Sequence, residues 1–268
     1  MKNRILTNRH YRISVLCTLI LVLQSCAPVF YYQLYNVNTS ETSATQNQFI
    51  FDYSDISVNY DFWAENGKSD FIFTNKTDND IYIDLKSSHL ILNGYAITYF
   101  QNIIVTTTSN VGTTTTYYPT YYYGTVDHTS AAENSIMRIP EPIICIPANS
   151  SKVIDGYQLV KTLIYDCDYY LFPLKKEIKT QNFDAGNTPL VIKNIISYSF
   201  NKSLDSLNRI VNTFYVSAIT NYPKSEIIDY QYSEYCGKKS SVLQQEYFLK
   251  SSPKMFFLIY KTTDTPWE

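Results

Sequence analysis

The chain has 268 residues, and its 22 Lys and Arg against 24 Asp and Glu give a formal net charge of −2. This balance argues against nucleic acid or an anionic lipid surface as the main electrostatic partner. Only seven residues are Gly, whereas 26 are Tyr and 14 are Phe. The few glycines form no nucleotide-binding loop and no G-x-S-x-G motif, and the aromatic excess favours β-strands. The composition therefore predicts an all-β protein that is neither a nucleotide-dependent enzyme nor an α/β-hydrolase.

The N-terminus has the pattern of an export signal. The first twelve residues carry four basic side chains and no acidic one, and an apolar run follows from Ile13 to Leu23. A membrane-spanning helix needs about 20 apolar residues, but a run of this length fits the apolar core of a signal peptide. The sequence therefore predicts a signal peptide over residues 1–25.

The tetrapeptide Leu23-Gln24-Ser25-Cys26 resembles the lipobox of bacterial lipoproteins. The resemblance implies cleavage before Cys26 and attachment of lipid to it, which gives membrane binding because two or more acyl chains hold a protein firmly. The alternative is an ordinary secretory signal followed by a chance cysteine. Ala27 at the next position implies export to the outer membrane, and no acidic pair follows to indicate surface display, so the periplasmic face is favoured. Loss of the four basic residues changes the net charge from −2 to −6.

Three cysteines remain in the predicted mature chain, namely Cys145, Cys167 and Cys236. An odd number in an exported protein allows one disulfide and one free thiol. Cys167 and Cys236 lie in polar, loop-like contexts, whereas Cys145 lies in an apolar run that resembles a core strand. We therefore predict a disulfide between Cys167 and Cys236.

The first half of the chain after residue 48 shows repeated period-2 alternation of apolar and polar residues, which is typical of half-buried strands. A short leader is predicted over residues 26–47. Two Asn-Gly pairs, each between two such runs, predict β-hairpins because both residues tolerate positive φ. The predicted strands are Ile56–Phe62, Asp70–Thr74, Ile81–Leu85, His89–Leu92 and Tyr95–Phe100.

The second half continues the pattern with strands at Ile143–Ile146, Lys152–Ile154, Leu190–Phe200, Phe214–Ala218 and Met255–Tyr260. The stretch Ser241 to Leu249 is predicted as a short helix. Many short strands joined by turn residues favour an antiparallel β-sandwich of the immunoglobulin-like kind. This sandwich is predicted over residues 48–268, either as one domain or as two packed halves over 48–165 and 166–268.

Several stretches resemble a family of uncharacterised bacterial lipoproteins. They are Asp61 to Gly94, CIPANSSKVI, YDCDYYLFPLKKEIKT and FYVSAITNYP with EYCGKKS. The resemblance covers most of the predicted mature chain apart from a Thr/Tyr-rich insertion. It implies export and a β fold, and it implies no activity.

That insertion, Thr106 to Thr125, is the best binding candidate in the sequence. Tyrosine offers a flat apolar face and a hydroxyl with little rotamer entropy to lose, which suits a protein or glycan partner. Long loops of this kind are usually functional or disordered. Because the whole chain is rich in Tyr, composition alone is the alternative explanation. The candidate binding residues are Tyr117, Tyr118, Tyr121, Tyr122 and Tyr123.

The remaining polar motifs have ordinary explanations. His89 and His128 lie far apart in the sequence and belong to no metal-binding motif, so neither a metal nor a cofactor is predicted. Asp78 with Asp80 and Asp166 with Asp168 each flank one residue. Such pairs could begin a calcium site or serve a glycosidase, but turns use Asp for their own backbone geometry, and the turn interpretation is favoured.

Together these observations predict a lipid-anchored exported protein that binds an envelope protein or glycan and is not an enzyme. A structural or assembly component of the envelope is the alternative. A divergent hydrolase that uses Asp166 and Asp168 is a third.

Overall fold

The computed structural model describes residues 29–41, 47–100, 141–165 and 170–262. Within these ranges the chain is almost entirely β, which confirms the predicted class. Two short 3₁₀ turns, Lys175–Glu177 and Lys224–Glu226, are the helical elements of the described part. None of the helices described there has the length and apolarity that a membrane span requires.

Fifteen strands are numbered in chain order within the described ranges. They are β1 (Phe30–Asn38), β2 (Phe49–Asp52), β3 (Ile56–Tyr60), β4 (Phe71–Asn75), β5 (Ile81–Asp84), β6 (His89–Leu92), β7 (Tyr95–Thr98), β8 (Ile143–Ile146), β9 (Ser151–Ile154), β10 (Thr180–Asn182), β11 (Val191–Ser199), β12 (Asn208–Pro223), β13 (Ile228–Tyr235), β14 (Lys238–Phe248) and β15 (Met255–Lys261).

These strands form three antiparallel sheets. The largest has the order β15-β1-β12-β11-β5-β8, with β10 beside β12, β6 beside β11, and β7 beside β6. Strand β12 is 16 residues long and pairs with β1 through its C-terminal half and with β11 through its N-terminal half. This sheet curls into a half-barrel. The second sheet has the order β2-β3-β4-β9, and β13 with β14 forms the third.

The two larger sheets face each other across one aromatic core. Phe214 of β12 lies at its centre, with ring centroids 5.0 Å from Phe49, 4.9 Å from Tyr60 and 5.1 Å from Phe62. Aromatic pairs at such distances contribute about 0.5–1.5 kcal/mol each beyond the area they bury. Strand β5 lies before residue 165 and β11 lies after it, and the two strands pair. The two halves on either side of this residue therefore share one sheet and one core.

Strand β1 lies within the predicted leader but belongs to the folded core. It pairs with β12 on one edge and β15 on the other. Tyr31 and Tyr35 face the main core, whereas Tyr32 and Leu34 face a second cluster on the opposite side of the sheet. Because both faces are buried, the strand shows no apolar-polar alternation, and the sequence pattern placed the fold's start too late.

The residues of both predicted Asn-Gly turns have positive φ, as two-residue hairpin turns of this kind require. Asn93 (φ 48°) and Gly94 (φ 88°) form the two-residue turn between β6 and β7. Strands β3 and β4 also pair, although Asn66 and Gly67 occupy a longer connection between them. The hairpin predictions are therefore confirmed.

Two local predictions are wrong. Residues Ser241 to Leu249 do not form a helix, because Cys236 (φ 50°) and Gly237 (φ 76°) make a tight turn that pairs β14 with β13. Cys145 lies on a strand as predicted, but it is exposed. Strand β8 ends the described sheet order, and Ile146 rather than Cys145 points into the core.

Candidate binding surface

Most of the predicted site residues lie outside the described residues. These are the lipidation site Cys26, the tyrosines Tyr117, Tyr118, Tyr121, Tyr122 and Tyr123, the histidine His128, and the segment Asp166, Cys167 and Asp168. Their roles stay predictions. Cys236 is exposed at the tip of a hairpin, and its pairing with Cys167, which lies outside the described residues, stays a prediction. His89 begins strand β6, as predicted, and is partly buried.

Asp78 and Asp80 both lie at the turn before β5 and accept hydrogen bonds from a second turn. Asp78 Oδ1 accepts a hydrogen bond of 3.0 Å from Asn149 Nδ2, and Asp80 Oδ1 accepts one of 3.2 Å from the Ala148 amide. The two carboxylates thus tie one turn to the turn that connects β8 with β9, which confirms the turn interpretation. Among the described residues, no group of three or more His, Cys, Asp or Glu side chains could hold a metal ion.

The third sheet projects from the body of the protein, and we call residues 228–248 the arm. Strands β13 and β14 pair with each other and with no other described strand. Most of the arm is exposed, including the turn at Cys236 and Gly237. An irregularity in the pairing after Tyr232 leaves Val242 83% exposed. Away from its base, the arm therefore presents most of its described side chains and both of its edges to the outside.

The base of the arm is fixed by an aromatic cluster on the outer face of the large sheet. The Phe248 ring lies 4.9 Å from Trp63, 4.6 Å from Phe257 and 5.9 Å from Tyr32, measured between centroids. Ile227 and Ile228 are buried in the same cluster. Because both strands of the arm are held at this end, the orientation of the arm is set by packing.

One face of the arm carries two half-exposed tyrosines. Tyr230 is 50% exposed and Tyr232 is 49% exposed, and as residues i and i+2 they share a face. Glu246 Oε1 accepts hydrogen bonds from Lys224 Nζ (2.6 Å) and from the Tyr230 hydroxyl (3.0 Å). The hydrogen bond from Lys224 lowers the pKa of Glu246. These contacts hold the Tyr230 ring in one position.

A groove lies beside the base of the arm, on the outer face of the four-stranded sheet. Its volume is about 290 Å³. We call it the Trp63 groove; its lining residues are Asn59, Asp61, Trp63, Ala64, Lys68, Asp70, Phe71, Ile72 and Val153. Trp63 thus lines the groove and also packs against Phe248 of the arm, so the two features adjoin.

The wall of the groove is the connection between β3 and β4, and backbone hydrogen bonds hold this connection in place. The Asn66 amide donates to the Phe257 carbonyl (2.6 Å), and the Ser69 amide donates to the Tyr157 carbonyl (3.0 Å). Gly67 has φ of +64° and lies so close to Phe256 that a Cβ atom would be 2.8 Å from that ring. Only glycine meets both conditions without strain.

Asn59 places an unsatisfied polar atom at this groove. Its Oδ1 is shielded from solvent and has no hydrogen-bond partner. A buried acceptor without a partner costs about 1–3 kcal/mol, and such atoms are rare in folded proteins. Asn59 lies between Ile50 and Ile72 in the register of the sheet, on its outer face. The side chain of Asn59 therefore points away from the main core, and packing of that core does not explain why an amide occupies this position.

A polar ladder that sequence analysis did not anticipate crosses the main core. The Tyr99 hydroxyl donates to Asn194 Oδ1 (2.9 Å), Asn194 Nδ2 donates to the Tyr60 hydroxyl (2.8 Å), and that hydroxyl donates to Asn212 Oδ1 (2.9 Å). Asn212 Nδ2 continues the ladder to Glu41 Oε2 (3.1 Å). Burial raises the pKa of both Tyr60 and Tyr99. The ladder links the two facing sheets, and its bonds from Tyr99 to Asn212 are buried while only the Glu41 end is partly exposed, so its role is structural.

The structure thus brings together an anchored arm, exposed tyrosines and a rigid groove, none of which belonged to the sites predicted from sequence. The signals in the sequence that could have indicated this surface were Trp63 and the Tyr230/Tyr232 pair. These are aromatic residues to which the apolar-polar alternation assigns no place in the core. In comparisons with known proteins, no family model, no curated protein and no solved structure matches this chain.

Proposed function

We propose that this protein is an exported lipoprotein, attached to the outer membrane through Cys26, that binds an envelope protein or glycan without catalysing a reaction. The support for export and attachment is the signal pattern and the lipobox resemblance of residues 1–26. The resemblance to uncharacterised bacterial lipoproteins is part of the same proposal. The periplasmic face is favoured, and neither nucleic acid nor a cofactor is a proposed partner.

The arm is the observation that supports a binding role. Its base is fixed by Phe248 and Trp63, while Tyr230 and Tyr232 are half exposed on one face. Rigid aromatic side chains lose little entropy on contact, and a preorganised surface reduces the cost of association. Aromatic residues are also enriched in protein interfaces. A protein partner bound across the Tyr230/Tyr232 face is therefore the proposed mode of action.

The test is a crosslinking pull-down from intact envelopes, run beside protease shaving of whole cells to report the membrane face. The wild-type chain is compared with a variant that carries both Tyr230→Ser and Tyr232→Ser. We expect this variant to lose the crosslinked partner. The control is Tyr95→Ser, which removes a tyrosine that is 79% exposed on another hairpin and should leave the crosslinks unchanged. Equal crosslinking by all three proteins would refute a role for the arm.

A structural or assembly role is the second candidate, and the free edges of the arm favour it. Exposed edge strands present unpaired backbone groups that can join another sheet. This role predicts a stoichiometric complex that survives detergent extraction, whereas a binding module yields a reversible one. The third possibility, a hydrolase using Asp166 and Asp168, depends on residues outside the described ranges and has no support from the described surface.

The finer fold assignment is also a proposal, namely that the two facing sheets form an immunoglobulin-like sandwich. The shared aromatic core and the antiparallel pairing support a sandwich. An experimental structure whose strand connections differ from the Greek-key order of such domains would reject this assignment while leaving the all-β class intact.

A further inference from the structure

We propose that the Trp63 groove binds one neutral sugar ring of an envelope glycan. This inference rests on the proposed function, because it names the glycan and the place where it binds. Three observations support it: the shape of the groove, the mixture of aromatic and polar groups that line it, and the unsatisfied Oδ1 atom of Asn59.

The size and the apolar part of the groove fit a ring with a hydrophobic face. A volume of about 290 Å³ is at the lower end of ordinary ligand pockets, so the groove suits one ring rather than a large ligand. Trp63 lines one side, and Ile72 and Val153 are partly exposed on the strands below. An aromatic plane beside aliphatic groups complements the C–H face of a pyranose ring.

The polar part of the groove calls for a ligand that both donates and accepts hydrogen bonds. Asp61 provides acceptor oxygens, Lys68 provides a donor, and Asn59 provides an amide. A sugar hydroxyl can serve either role. Lys68 Nζ lies 2.6 Å from Asp70 Oδ2, so its charge is balanced within the groove. The site therefore lacks the excess positive charge that an anionic ligand would require.

A peptide fits the groove less well than a sugar. Binding of an extended peptide depends mainly on free backbone donors and acceptors. In the groove wall, the amides of Asn66 and Ser69 are already bonded within the protein. The Trp63 amide is likewise bonded, to Asp61 Oδ1 at 2.9 Å. The connection between β3 and β4 thus offers side chains rather than these three backbone amides, and side chains are what hydroxyl groups can bind.

Asn59 would take part through a rotation of its amide. In the structure the Oδ1 atom points away from solvent and is unpaired. Turning the amide about its terminal torsion exchanges the positions of oxygen and nitrogen, since this torsion is soft and roughly two-fold. The oxygen then faces the groove, where it can accept from a ligand hydroxyl, and the amide nitrogen takes the shielded position.

The experiment measures binding of glucose, galactose, mannose and N-acetylglucosamine to the full-length protein in detergent, by saturation-transfer NMR and by calorimetry. Two variants probe the groove. Val153→Tyr fills it from a half-exposed edge position, and Val153→Thr is its matched control. Asn59→Val removes the amide, and unfolding in urea is measured on the same samples.

We expect saturable binding of at least one of these sugars. Val153→Tyr should abolish it and Val153→Thr should retain it. Asn59→Val should weaken binding tenfold or more and leave the urea midpoint unchanged or higher, because the Oδ1 atom that it removes has no partner in the free protein. Lack of binding by the wild type, equal binding by Val153→Tyr, or a lowered midpoint for Asn59→Val with unchanged binding would each overturn the proposal. Loss of sugar binding with intact arm crosslinks would leave the proposed function standing.

Discussion

The polar ladder across the core gives the sharpest test of how the two sheets are held together, and the perturbation is Tyr60→Phe. The substitution removes one hydroxyl and keeps the ring that contacts Phe214 and Phe62. Asn194 Nδ2 loses an acceptor and Asn212 Oδ1 loses a donor, while both residues stay buried. No water-filled route replaces either bond, because Tyr60 itself is buried.

The magnitude follows from these two atoms. Each buried polar atom left without a partner costs about 1–3 kcal/mol, so Tyr60→Phe should lower the free energy of unfolding by about 2–6 kcal/mol. That is a large share of the stability of an ordinary domain. Tyr99→Phe leaves Asn194 Oδ1 without its donor and also removes the hydrogen bond with Ser69, so it should cost at least as much as one buried atom without a partner, about 1–3 kcal/mol. Tyr95→Phe changes an exposed residue and should stay within about 0.5 kcal/mol.

Urea unfolding of the purified protein, followed by circular dichroism, measures these differences as shifts in midpoint at constant slope. A double-mutant cycle between Tyr60 and Tyr99 reports whether the two hydroxyls act through the shared Asn194. If Tyr60→Phe costs no more than Tyr95→Phe, the ladder does not hold the sheets together. A changed slope would instead show that the substitution altered the compactness of one of the two states.

Two further predictions concern backbone strain and pH. Gly67→Ala should lower stability by about 2–4 kcal/mol, because it combines a strained φ with contact to Phe256. Gly94→Ala, at positive φ in open space, should cost only about 1 kcal/mol; equal urea midpoints for the two variants would contradict this reasoning. Burial raises the pKa of Tyr60 and Tyr99 above the unfolded value of 10.0, so their contribution is complete below pH 10 and is lost as the pH rises further. Stability measured across this range should fall by about 1.4 kcal/mol per pH unit for each tyrosine, and the fall should be shallower in Tyr99→Phe.

The parts of the fold that were predictable from sequence are those with one buried face and a recognisable turn. Strands β3 and β4 alternate cleanly, and the Asn93-Gly94 turn has the residues that its geometry demands. Strand β1 was not predictable from alternation because both of its faces are buried. Strand β14 contains Gln and Glu, which favour helices, and its turn uses Cys236 where Asn or Asp is usual. Tertiary pairing decided its conformation.

The candidate surface was less predictable because its residues meet only through long-range contacts. Trp63 and Phe248 are far apart in sequence, and their rings meet because β1 and β15 carry the cluster between them. Asn59 is an ordinary outward residue in the alternation of β3, and its unsatisfied atom becomes visible only in the packed sheet. By contrast, the position of Asp78 and Asp80 in a turn was predictable from local sequence, whereas their hydrogen bonds to residues 148 and 149 were not.

The arm and the groove are neighbours because they share one residue. Trp63 lines the groove and packs on Phe248 and Phe257, so its ring belongs to both features. A ligand that contacts Trp63 therefore also contacts a residue of the cluster that fixes the arm. For the same reason, a substitution of Trp63 would disturb both the groove and the arm. Neither Tyr230 nor Val153 belongs to the aromatic cluster, and Tyr230 does not line the groove. Changes at these two positions can therefore separate a partner that binds the arm from a sugar that binds the groove.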